Sequence, residues 1–145
     1  MKALRYSLKS VLGICLMLSV FLTSCEKDKD KEPAPDLATQ IAGNYAFTEI
    51  VFQGETIPAD ETSVKGTVKV TRATEFTVDM DFNIRQKTTN DEFMVELVKG
   101  VVASPGSGVI NLYYEGKKVG EVKGNKLYIN SSDGNDEPFT LVSTK

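Results

Sequence analysis

From residue 76 onward the chain alternates. Phe76, Val78, Met80, Phe82 and Ile84 interleave with Thr77, Asp79, Asp81, Asn83 and Arg85. A period of two sustained this long predicts a strand with one face in a core and the other in water. Weaker forms of the pattern predict seven further strands, at Asn44–Phe52, Thr67–Arg72, Glu92–Lys99, Val109–Glu115, Lys118–Lys123, Lys126–Asn130 and Phe139–Thr144, which with Phe76–Arg85 makes eight in all. The punctuation between them is that of hairpins. Gly124-Asn125 sits between two strands as a type I′ or II′ turn, and Glu115-Gly116-Lys117 is a second tight turn. Thr71-Arg72-Ala73-Thr74 leaves room only for a hairpin, whereas Pro105-Gly106 and Asp133-Gly134-Asn135 mark longer loops. No segment between strands has the length of a crossover helix, so parallel βαβ units are excluded. Asp36 as N-cap, Gly43 as C′ residue, and Leu37 and Ile41 at i,i+4 predict one or two helical turns over Asp36–Ala42.

Eight short strands in succession have two solutions, an up-and-down barrel or a two-sheet sandwich. The short turns favour the barrel, because a Greek-key sandwich needs long returns. Closure also removes exposed strand edges. The predicted architecture is all-β: an eight-stranded antiparallel barrel with a short N-terminal helical turn, over residues 36–145. Its inward set is Phe47, Val68, Val70, Phe76, Val78, Met80, Phe82, Phe93, Val95, Leu97, Ile110, Leu112, Leu127, Ile129 and Phe139.

The pattern at the other end is different. Lys2, Arg5 and Lys9 precede an apolar run from Val11 to Leu22, twelve residues broken only by the small Gly13, Cys15 and Ser19. This is the layout of a signal peptide, and the run is shorter than the roughly 20 residues a bilayer span needs. It ends Leu22-Thr23-Ser24-Cys25. That tetrapeptide resembles the lipobox of bacterial lipoproteins. The resemblance implies cleavage between Ser24 and Cys25, a diacylglyceryl thioether on the Cys25 sulfur, further acylation of the palmitate type, and an outer-membrane location. Cys15 would leave with the leader, so the mature chain would hold neither a free thiol nor a disulfide and would depend on its core for stability.

Residues 25–35 form a lipid-bearing tether. Glu26 to Pro35 contains no large apolar side chain and is expected to be disordered, with a reach of at most about 35 Å. Its acids after Cys25 resemble the surface-export signal of Bacteroidetes-type lipoproteins. Here they alternate with Lys, which leaves both the cell surface and the periplasmic face open.

Ile41-Ala42-Gly43-Asn44-Tyr45 opens the first strand after the helical turn. It resembles the Gly-x-Trp start of lipocalin-like and calycin-like domains, with Tyr45 in the Trp position. The resemblance implies that the Tyr45 ring plugs one end of a barrel and that Gly43 permits close chain approach. The family often packs a late-strand Arg over the ring. Past the leader this chain has only Arg72 and Arg85, neither in the last strand.

Composition narrows the chemistry. The 145 residues include no His and no Trp. The usual acid/base side chain and the commonest metal ligand are therefore missing. Losing the leader removes three positive charges and no negative one, taking the net charge from −3 to −6. A nucleic-acid partner is not expected of so acidic a chain. No catalytic constellation, cofactor motif or metal site is identified, and a non-enzymatic role is expected. Asp79 and Asp81 share a strand face and read as solubilising. Asp133 to Glu137 is oxygen-rich without EF-hand spacing. Asn130-Ser131-Ser132 matches a glycosylation pattern that is uninformative in a bacterial lipoprotein.

Two expectations stand. One is a binder of a small hydrophobic ligand, with Phe47, Phe76, Val78, Met80, Phe82, Phe93, Leu112 and Tyr114 as candidate lining residues. The other is a filled barrel that contacts another envelope protein or a glycan. An eight-stranded barrel is wide enough for either.

Overall fold

The computed structural model describes residues 34–132, 134 and 136–145. The expectations on the leader, Cys25 and most of the tether lie outside the described residues, as do Asp133 and Asn135. Ala34–Lys145 forms one compact unit. All of its buried apolar residues but Val142 belong to a single core, so it has what a domain needs to fold by itself.

A five-residue helix, α1 (Leu37–Ile41), precedes β1 (Gly43–Phe52), β2 (Glu55–Pro58), β3 (Val64–Arg72), β4 (Thr77–Gln86), β5 (Glu92–Pro105), β6 (Ile110–Tyr114), β7 (Lys117–Lys123), β8 (Lys126–Ser132) and β9 (Pro138–Thr144). Every pairing is antiparallel, and β1 returns to pair with β9. Eight strands thus close an up-and-down barrel, as the succession of hairpins predicts. The fold is compatible with the lipocalin-like class. Among the described residues no helix is long and apolar enough to cross a membrane.

The ninth strand, β2, was not expected. It pairs with the second half of β1, while β3 pairs with the first half. The signal is Gln53-Gly54, both at positive φ (52° and 84°). That is the type I′ geometry of a two-residue hairpin. Gly124 alone turns positive in the β7–β8 hairpin, which fits type II′.

The core holds Tyr45, Phe47, Val68, Val70, Val78, Met80, Phe82, Ile84, Leu112, Leu127, Ile129, Phe139 and Leu141. All but Leu141 are positions read from the sequence, Tyr45 as the plug and the others as inward strand positions, and β5 is the main exception. Phe93, Val95 and Leu97 were expected inside because they form an unbroken apolar triplet. The register pairs inward Ile84, Phe82 and Met80 with Met94, Glu96 and Val98, so the other parity faces in. Val95 and Leu97 face outward and are exposed, Leu97 at 55%. A bulge between Ile84 and Arg85 inserts Phe93 as an extra residue. One extra residue inverts every side chain beyond it.

Phe76 is the other correction. It lies before β4 and is 55% exposed. Thr74 Oγ1 accepts the Phe76 N–H at 3.3 Å, and the Ala38 N–H donates to the Glu75 carbonyl at 3.2 Å. The bend carries Phe76 out of the strand, and buried Ala38 and Ile41 of α1 help to fill this end of the core.

Candidate functional site

The two ends of the barrel differ. At one end α1 and Tyr45 close it. Tyr45 is fully buried, and its Oη donates to the Ile41 carbonyl at 2.7 Å. Burial pushes its phenol up to about 12. Lys145 follows the last strand and places its Nζ 5.3 Å from the Tyr45 ring centroid. The same ammonium donates to the Gln40 carbonyl at 3.2 Å. Gly43 makes this possible. Its φ of +152° suits only glycine, and a Cβ there would collide with the Lys145 stem. The basic side chain over this ring is thus Lys145, just past the end of the last strand, and neither Arg72 nor Arg85.

Asp36 caps α1 by accepting the Thr39 N–H at 2.8 Å and takes Arg72 Nη2 at 3.0 Å. Arg72 first, then the backbone N–H of Thr39, lowers its carboxyl to about 2. This ties the helix to β3.

The opposite end is open. Between the strands lies a cavity of about 230 Å³, whose walls include Met80, Phe82, Met94, Val98 and Ile129. Its polar groups are Glu96, Tyr114, Asn130 and Ser131. A groove of about 550 Å³ over Phe52, Gln53, Gly54, Pro138 and Phe139 adjoins it, sharing Asn130 and Ser131. The cavity is walled unevenly. β5 meets β6 only through Val102–Pro105, so Glu92–Val101 has β4 on one side and no ladder partner on the other among the described residues. Phe93 reaches Phe139 with ring centroids 6.4 Å apart. β5 and β9 lie on opposite sides of the barrel, so this pair spans the mouth.

Of the candidate lining residues, Met80, Phe82 and Tyr114 border the cavity. Phe47, Val78 and Leu112 are buried in the packed part of the core. Phe93 stands at the rim, and Phe76 lies outside. Met94, Glu96, Val98, Asn130 and Ser131 were missed. Glu96 broke the apolar triplet that would have revealed the inward face of β5, and only the register with β4 exposes it.

Asp79 Oδ1 accepts the Gly100 N–H at 3.0 Å. It thereby pins a second bulge in β5, where Gly100 sits at a φ of +73°. Asp81 is exposed. No group of three or more side chains suited to a metal occurs among the described residues. No protein-family model matches this chain, and no curated protein and no solved structure is significantly similar to it.

Proposed function

We propose that this chain is a lipoprotein of the bacterial envelope, anchored through Cys25 to the outer membrane, whose barrel binds a small hydrophobic ligand without catalysing a reaction. The observation that carries the binding role is the 230 Å³ cavity at the end opposite the Tyr45 plug. Its walls are mainly apolar, with a few polar groups at the mouth, as in small-molecule sites. The volume, below that of a drug-sized pocket, suits a small ligand or the end of an alkyl chain. The anchor rests on Leu22-Thr23-Ser24-Cys25 after a charged and then apolar leader.

Native mass spectrometry of residues 34–145 purified from cells tests the binding role. Extra mass that departs on denaturation supports it and gives the ligand class; a bare mass at every charge state counts against it. Cys25→Ala tests the anchor by moving the full chain out of the membrane fraction.

A second reading has its own observation. Val95, Leu97 and Val102 are exposed on the outer face of β5, beside the backbone edge that lacks a neighbour. An apolar strip of this kind favours contact with another envelope component.

A further inference from the structure

We propose that the ligand of the barrel cavity is an amphipathic cation, an alkyl chain ending in an ammonium group, held at its charged end by Glu96. The inference rests on the cavity being a ligand site, as proposed above.

The first ground is the placement of Glu96. Its register partner is Phe82, 4% exposed in the core. The side chain therefore shares a face with the cavity wall and borders the cavity itself. It makes no hydrogen bond or ion pair with a described residue. Glu96 is exposed, so its carboxylate stays charged at the watered side of a mainly apolar cavity and is free to meet a cation there. Met80, Met94 and Val98 lie around it. The two methionines are unbranched and adapt to chains of variable shape.

The second ground is the charge around the mouth. The described residues in the turns at this end include Asp91, Glu115, Asp136 and Glu137 against two cations, Lys87 and Lys117. Lys87 Nζ is already held by the carbonyls of Ala59 and Asp60. On the nearby strands, Arg85 pairs with Glu92 at 3.6 Å and Lys118 with Glu121 at 2.7 Å. The field at the opening is negative, which draws cations and repels fatty-acid carboxylates. Tyr114 Oη and the Ser131 hydroxyl offer acceptors to the remaining ammonium hydrogens.

Calorimetric titration of residues 34–145 with octylamine, octanol and octanoate separates the possibilities. The amine is expected to bind about tenfold tighter than octanoate, the product of a modest attraction and a matching repulsion at a solvated site, with octanol between. Added salt should narrow that gap. Glu96→Gln should bring the three within about twofold, while Glu96→Asp, which keeps the charge, should preserve their order. Binding by none of the three removes the cavity reading itself. Binding by all three at equal strength, or tightest by octanoate, leaves that reading standing and overturns the cationic ligand. A preference that survives in Glu96→Gln overturns the role of Glu96. If Glu96→Gln does not fold, the order and its salt dependence in the unaltered protein decide the matter.

Discussion

Lys145 holds its ammonium 5.3 Å above the ring of Tyr45, and the ring's own hydroxyl donates to Ile41 of the helix beneath. One aromatic side chain thus joins the helix, the first strand and the residue after the last strand. These are the parts that must meet for the barrel to close. Loss of the ring should be costly: Tyr45→Ala is expected to lower stability by about 3–5 kcal/mol, as for other buried aromatics. Tyr45→Phe removes only the hydroxyl and should cost about 1 kcal/mol. Lys145→Met keeps the stem and loses the charge, for about 0.5–1 kcal/mol. Urea denaturation of the three variants measures this ranking, and equal losses for Tyr45→Phe and Tyr45→Ala would contradict it.

The same end should govern behaviour at both extremes of pH. Asp36 is lowered from the usual 3.8 to about 2 by Arg72 and the Thr39 N–H. The folded chain therefore releases that proton more readily than the unfolded one. The stability Asp36 supplies is complete above about pH 4 and is lost as pH falls through about 2. Tyr45 is raised from 10.0 to about 12 by burial, so its contribution is complete below pH 10 and is lost as pH rises through about 12. Thermal melts of the protein and of Asp36→Asn across the acid range should converge near pH 2. The tyrosinate absorbance of Tyr45 should appear together with alkaline unfolding.

Phe93 and Phe139 meet across the mouth. Phe93 is 43% exposed, so Phe93→Ala should cost less stability than a core truncation while widening the entrance. The aromatic contact itself accounts for about 0.5–1.5 kcal/mol. Stopped-flow exchange of a polarity-sensitive dye should be faster in Phe93→Ala. An unchanged rate would show that the pair does not limit entry.

Ser143 is wholly buried, and its Oγ has no hydrogen-bond partner among the described residues. A desolvated hydroxyl without a partner is a cost to folding. Ser143→Ala is therefore expected to raise stability by about 1 kcal/mol, although most core substitutions lower it. A clear loss in chemical denaturation would mean that the hydroxyl has an ordered partner in solution.

The register of β5 can be read from a pair of truncations. Leu97 is 55% exposed on the outer face, and Ile84 on the neighbouring strand is fully buried. Leu97→Ala should cost less than about 1 kcal/mol and Ile84→Ala about 2–5 kcal/mol. Similar losses at both positions would place Leu97 in the core after all.

By itself the sequence determined the class of fold and most of its interior. The alternation from Val78 to Ile84, the turns at Gly116 and Gly124, and the Gly43-x-Tyr45 opening are local signals. Each depends on a few neighbouring residues: side chains alternate with a period of two along a strand, and positive φ selects glycine. The Gln53-Gly54 turn was equally legible, and β2 could have been read from it. The tertiary structure decided what depends on pairing between distant residues. In β5, Phe93, Val95 and Leu97 compete with Met94, Glu96 and Val98, and an apolar count prefers the first set. The bulge opposite Ile84 and Arg85 selects the second, because ladder hydrogen bonds to β4 fix the register and the register fixes the face. That choice puts Glu96 on the cavity and leaves Leu97 in water. Lys145 likewise meets Tyr45 only once β9 has paired with β1, a contact across 100 residues that no local pattern encodes.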